Sequence, residues 1–491
     1  METALGLFYA RCGFRCVKLN MEEHLMRKRI CLLLLAFCLL LSGCAPAAQP
    51  DTDPTPESST PEEMPPETLP TPEEPAEPDL SQREEDWIED EDWIEDIEFL
   101  REQYKERHLN PFYFHSEAEF DSKLDLLAAK VGELTDNDMY FELAAVIAGM
   151  GDLHTRVQAP DSLYKRVFPF DIRYFGDRLY LIGYLEGYEE LAPYLLREIV
   201  AVNGVDVAYL TRKAESVLLS ANSWFSKEYF PYQFSFMVAF YEWATGLDAR
   251  ETYTFKILNE NQEVESVEVP VISGEEYQGA EMVYPEELKT VPVTYKGDSA
   301  VYVDRSDGCV YLALGSMLSI QEKTYRELFE KVAKLLEEHP DCRKLAIDLR
   351  GNSGGYSVSF NYMRAQIHIL KKLPFEQVFV LINGYTLSMA TQCLTLFEQE
   401  LNAVKVGEPT GQFTSFFMYS TRDTFTLPHS QLSVLIANNW WQGDNPENTE
   451  RNKEHRLYEW ENTILPDVYV YQDIEDIRQG KDSVLEWVLA Q

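Results

Sequence analysis

The sequence predicts an α/β fold with β additions. Three observations lead there. First, the region 300–491 reads as strand, helix, strand: an apolar run at Cys309 to Leu314, a helical spacing at Tyr325 to Glu338 with Leu328, Val332, Leu335 and Leu336 on one face, and the run KLAIDL from Lys344. Second, Gln377 to Ile382 (QVFVLI) is apolar, largely β-branched and too short for a helix, as a buried strand is, and helical spacing resumes after it at Ala390, Leu394, Phe397 and Leu401. Third, short apolar runs alternate with turns between residues 168 and 295, which predicts a separate β region before that core.

The elements follow in chain order. Arg27, Lys28 and Arg29 precede an apolar run at Leu32 to Leu41 that closes on Leu41, Ser42, Gly43 and Cys44, the layout of a secretory signal over residues 1–44, with Met26 an alternative start. Between Pro46 and Pro78 stand 11 of the 25 prolines, nine acidic residues and no lysine or arginine. Such a tract cannot bury a core, so 45–79 reads as an extended tether. Residues 80–157 read as helical, with Trp93, Ile97, Leu100 and Tyr104 on one face. The echo of DWIED at Asp86 to Asp90 and Asp92 to Asp96 is a local duplication, too short for a repeat architecture. Within 168–295, Leu179 to Gly183 and Glu198 to Val207 (EIVAVNGVDV) read as strands around an Asn-Gly turn. Glu251 to Pro270 reads as a hairpin, either the end of this β region or an insertion.

Two strings carry the chemistry, DLRGNSGG at Asp348 to Gly355 and NGYTLSMA at Asn383 to Ala390. Ser388 falls at the start of a helix, where unpaired N–H groups and the dipole favour an oxyanion beside it; a serine there is also a common N-cap. Gly351, Gly354 and Gly355 let backbone N–H groups approach a ligand, as any glycine loop would. A third segment, Gly149 to Thr155, follows the apolar helical stretch Met139 to Ala148 and holds His154, which titrates near neutrality and can serve a serine as general base.

GDLHT, DLRGNSGG, NGYTLSMA, VGEPTG at Val406 to Gly411, LPHS at Leu427 to Ser430 and LPDVYV at Leu465 to Val470 stand in the order seen in the tail-specific, or C-terminal-processing, serine peptidases. From about Leu80 onward the chain resembles that family, nearest to its tricorn-core-like branch. The resemblance implies a crotonase-like (ClpP/crotonase) catalytic core over 300–491, a helical region over 80–157 and a PDZ-like β domain over 168–295. It implies Ser388 as nucleophile, His154 as base, and an oxyanion hole from the N–H of Met389 with Gly354 or Gly355. The lysine of the dyad branch is replaced here by Phe413, and Lys405 reads as a surface cation. A glutamate before the Pro-Asp motif would orient the histidine; Glu461 is the choice, with Glu459 beside it. Leu195 and Leu196 occupy the place of a glycine-containing turn in relatives. The Leu-Ser-Gly-Cys ending resembles a bacterial lipoprotein box, which implies lipidation of Cys44 and an extracytoplasmic, membrane-anchored enzyme acting on a peptide or protein.

Charge and cysteines bound the partners. With 83 acidic against 43 basic residues the net charge is -40, which argues against nucleic acid. Beyond Cys44 only Cys309, Cys342 and Cys393 remain, with no metal-like spacing; one disulfide is conceivable, and the expected reaction calls for no metal or organic cofactor. The assembly state is not legible. Two rival readings use the same residues: an inactive peptide-binding relative, and a hydrolase of esters or small amides.

Overall fold

The computed structural model describes residues 88–491 except 219–221, 234–235, 291, 293–296, 305–307, 320, 420–422 and 442–462, all within one compact unit. The signal, Cys44, the tether, Glu459 and Glu461 lie outside the described residues.

Helices form first. Asp90–Arg107 opens on three acids and closes on Lys105 and Arg107, matching its dipole, and buries Trp93, Ile97, Leu100 and Tyr104 as the spacing required. Glu117–Ala128 and Asp136–Ala148 each start with a reciprocal capping box, Ser116 with Glu119 and Thr135 with Asp138. The 80–157 region does not stay helical to its end. Arg156–Val157 is a short strand, paired antiparallel with Ser433–Ile436.

The middle of the chain is an antiparallel seven-stranded sheet. Its main path runs Met282–Val283, Arg178–Leu185, Glu198–Val202, Thr252–Leu258, Val264–Pro270, with Phe170–Phe175 and Val205–Asp206 branching from it. The hairpin Thr252–Leu258 and Val264–Pro270 pairs with Glu198–Val202, so it belongs to this sheet and is no insertion. Leu196 adopts φ 58, a left-handed conformation that suits glycine far better than leucine.

A second sheet of six strands holds the C-terminal region: Ala300–Asp304, Cys309–Ala313, Lys344–Asp348, Gln377–Ile382, Val404–Gly407, Val468–Tyr469. All neighbours are parallel except the first pair. Both faces are covered, which is why these strands read as continuous apolar runs. Val310, Leu312, Leu345, Ile347, Val380 and Ile382 pack with the helices Glu322–Glu338, Ser357–Leu370 and Met389–Leu401. Tyr311, Ala346, Phe379 and Leu381 face Val484, Val488 and Leu489 of the last helix, Ser483–Leu489. In Glu322–Glu338 the deepest residues are Tyr325, Phe329, Val332 and Leu336, while Leu328 and Leu335 are only partly buried: the helix presents a face turned by one residue from the expected one.

Two expectations are corrected. Lys405 is no surface cation: it is buried, its ammonium pairs with Glu398 and, at 3.1 Å, with Asp467, and its strand is interior. Cys309, Cys342 and Cys393 are all free and buried, so no disulfide joins them.

Candidate active site

The strand Gln377–Ile382 ends in a turn that delivers Ser388 to the start of the helix Met389–Leu401. Ser388 occupies the N-cap position, yet its side chain makes no capping hydrogen bond, and its backbone sits at φ 49, ψ -125. A capping serine has extended backbone and gives its oxygen to the helix. Ser388 does neither, and a non-glycine residue in this region carries roughly 1–3 kcal/mol of strain that its surroundings must hold.

Those surroundings stitch the two strings together. The N–H of Leu387 donates to the carbonyl of Asn352 at 3.1 Å, the Thr386 hydroxyl to the carbonyl of Leu349 at 3.0 Å, and the N–H of Gly351 to Asn383 Oδ1 at 3.2 Å. The N–H of Ser388 donates to Gln412 Oε1 at 2.9 Å. Gly354 lies against the serine with φ 89; a Cβ there would come within 2.7 Å of Ser388 Cβ and 2.8 Å of Met389 N, so only glycine fits.

The two glycines differ as donors. The N–H of Gly354 is committed to Asn352 Oδ1 at 2.9 Å. Around Gly355, Met317 N–H donates to the Gly354 carbonyl and Tyr356 N–H to the Met317 carbonyl, each at 2.8 Å, leaving the Gly355 N–H unpaired among the described residues. Met389, first residue of its helix, likewise has an N–H with no intrahelical acceptor. Gly354 therefore provides room, and Gly355 with Met389 provides free donors.

His154 reaches this neighbourhood from the N-terminal region. Its ring stacks on Phe416 at 5.3 Å with 12° between planes, and Phe416 follows the segment 410–414 that packs on the serine helix through Thr391 and Gln392. The loop is pinned by Asp152: one carboxylate oxygen accepts from the N–H of His154 at 2.9 Å, the other takes His108 Nε2 at 3.0 Å and the Thr155 hydroxyl at 2.5 Å. Because His108 Nδ1 accepts from the Asn110 N–H, the His108 proton is on Nε2. Burial pushes His154 down to about 4, with Arg156 adding to the effect and Asp152 opposing it. Its Nδ1 has no partner among the described residues. No hydrogen bond joins His154 to Ser388.

Sequence reasoning missed Gln412, Asn352, His108 and Asp152 as supports. Asn352 lies inside DLRGNSGG and Asp152 inside GDLHT, so both were in view; nothing marked Gln412 or His108, whose contacts are long-range. Phe413 stands where a lysine would be, and its carbonyl faces the Thr391 hydroxyl at 3.4 Å. Among the described residues no group of three or more His, Cys, Asp or Glu side chains could hold a metal ion, and no helix is long and apolar enough to cross a membrane.

No protein-family model matches the sequence, and no curated protein matches it. Solved structures do. A serine-to-alanine variant of CPAF superposes with a TM-score of 0.52 over 81% of this chain and 96% of that one, at 11% identity. The fold is that of CPAF. Mature CPAF complexed with lactacystin gives a TM-score of 0.51 over 81% of this chain and 97% of that one, at 12% identity. The photosystem II D1 C-terminal processing protease matches at 0.36, 12% identity, over 82% and 96% of the two chains, too distant to argue from. At this identity the likeness to CPAF establishes the fold; the chemistry must come from the site.

Proposed function

We propose that this chain is a serine endopeptidase of the tail-specific type, with Ser388 as nucleophile. The single observation that carries the reading is the backbone of Ser388: positive φ, no capping bond, and a glycine turn packed so closely that a Cβ added at Gly354 would have no room. A cap gains nothing from that strain, whereas a nucleophile does, and in this reading the turn presents its hydroxyl beside the N–H groups of Met389 and Gly355. The 11% likeness to CPAF supports the same architecture, and the six-stranded sheet is the crotonase-like core of the proposal, the seven-stranded one its PDZ-like domain.

In the reaction, Ser388 Oγ attacks a peptide carbonyl as His154 takes its proton. The N–H groups of Met389 and Gly355 receive the oxyanion, with Gly354 keeping the approach clear. His154 then protonates the leaving amine, and water, deprotonated by His154, releases the acyl group. His154 and Ser388 are brought to bonding distance when substrate binds, as catalytic contacts often tighten only then. Glu461, or Glu459 in its place, bonds the open Nδ1 and fixes the tautomer. The lipid on Cys44 anchors the enzyme outside the cytoplasm, the tether giving it reach; radiolabelled lipid incorporation should be lost in Cys44→Ala.

The test is turnover of paired peptide and ester substrates by purified protein and by Ser388→Ala. Peptide hydrolysis that vanishes in the variant supports the proposal. Ester hydrolysis alone points to the small-substrate enzyme, and no turnover of either to the binding relative. Lactacystin, bound in one CPAF structure, serves as a second probe.

A further inference from the structure

We infer that Glu228 is a positioning residue for the two turns of the active site, acting through Asn383; the inference rests on the reading of Ser388 given above. Glu228 lies on the helix Ser223–Gln233, outside the catalytic sheet. Its Oε1 accepts from Asn383 Nδ2 at 2.8 Å. Asn383 is only 3% exposed, and its Oδ1 accepts from two N–H groups at once, Gly351 of the glycine turn and Tyr385 of the serine turn, both at 3.2 Å. Its carbonyl accepts from Thr386 N–H at 2.9 Å.

One amide therefore holds both turns, and its orientation matters. Oδ1 faces the two N–H groups while Nδ2 donates to Glu228 on the other side. Replacing that carboxylate by a group that cannot accept takes one hydrogen bond from the buried amide and loosens its hold on both turns.

The helix is built to come this close. Asn222 Nδ2, just before it, donates to the Thr410 carbonyl at 3.0 Å. A Cβ on Gly384 would lie 2.1 Å from the Trp224 carbonyl oxygen and 3.2 Å from Glu228 Cγ, so a glycine in NGYTLSMA is what admits the helix. The carboxylate shares its cavity with Arg173, Lys227, Arg350 and Glu408. Burial pushes Glu228 up, opposed by Arg173 and the Asn383 bond, a cost that an apolar residue filling the same space would not carry.

The experiment compares wild type, Glu228→Ala, Glu228→Met and Glu228→Gln by amide hydrogen exchange of the peptides covering 349–356 and 383–388, and by the rate of fluorophosphonate labelling. Glu228→Ala should raise exchange in both peptides and slow labelling, each by about tenfold, the worth of one buried hydrogen bond. Glu228→Met, which keeps the packing but not the acceptor, should do the same even if the alanine variant folds poorly. Glu228→Gln, whose carboxamide oxygen still accepts, should stay within about threefold of wild type. Peptide KM should change less than kcat. Wild-type exchange in both acceptor-free variants would overturn the inference, and so would a glutamine variant as impaired as the alanine one. Wild-type protein that exchanges as expected but never labels would sink the Ser388 reading and leave the contact standing.

Discussion

At the scale of single residues the account turns on strain and a proton. Gly354→Ala places a Cβ 2.7 Å from Ser388 Cβ on a backbone at φ 89, so it should destabilise the protein by roughly 2 kcal/mol or more in urea unfolding and leave labelling of Ser388 undetectable. His154 must be neutral to accept a proton. Burial lowers its pKa, so it stays neutral as pH falls through 6.5 and becomes charged only near 4. A carboxylate on Nδ1 favours the charged ring and raises that value again. Glu461→Gln should therefore move the acidic limb of kcat/KM downward, toward pH 4, while Glu459→Gln leaves it in place; the reverse result would reassign the orienting residue. His154→Ala should lower kcat/KM by roughly 10²–10⁴. The turns carrying Ser388, His154 and the glycines were legible as candidates because each is a short local string following an apolar run. Gln412, whose side chain takes the Ser388 N–H, was not, since a contact across 24 residues leaves no mark on local spacing.

Among elements, the strand Lys344–Asp348 and the last helix are locked by a buried ionic cluster. Arg350 pairs with Asp348 at 2.7 Å and with Asp482 at 2.6 Å, Asp482 capping the helix Ser483–Leu489. Removing the cation leaves two buried carboxylates without their counter-charge, so Arg350→Leu should cost about 3–5 kcal/mol by urea denaturation; a change below 1 kcal/mol would mean the cluster is not held as described. The parallel strands were readable because burial on both faces makes them largely apolar. The helix Glu322–Glu338 was readable as a helix but not to the residue in its inner face, because Leu328 and Phe329 are both apolar and only the sheet beneath chooses between them. Arg156–Val157 was unreadable as a strand: two residues have no period, and its partner lies far along the chain.

Over the whole molecule, the proposed base and nucleophile come from regions distant in sequence, joined by hydrogen bonds. Buried Asp96 of the first helix accepts the N–H groups of His429 and Ser430, and the N–H of Leu109 donates to the Ala437 carbonyl. The LPHS segment thus docks the N-terminal helices onto the catalytic region, a role its sequence did not reveal. A chain lacking residues 1–79 should label Ser388 at the full-length rate, whereas one also lacking 80–157 should not label, for want of His154. The most direct test of the central claim is intact-protein and peptide mass spectrometry after fluorophosphonate treatment of wild type and Ser388→Ala. The account predicts one adduct, on the peptide carrying Ser388, absent from the variant; an adduct elsewhere, or one that persists in Ser388→Ala, would contradict it.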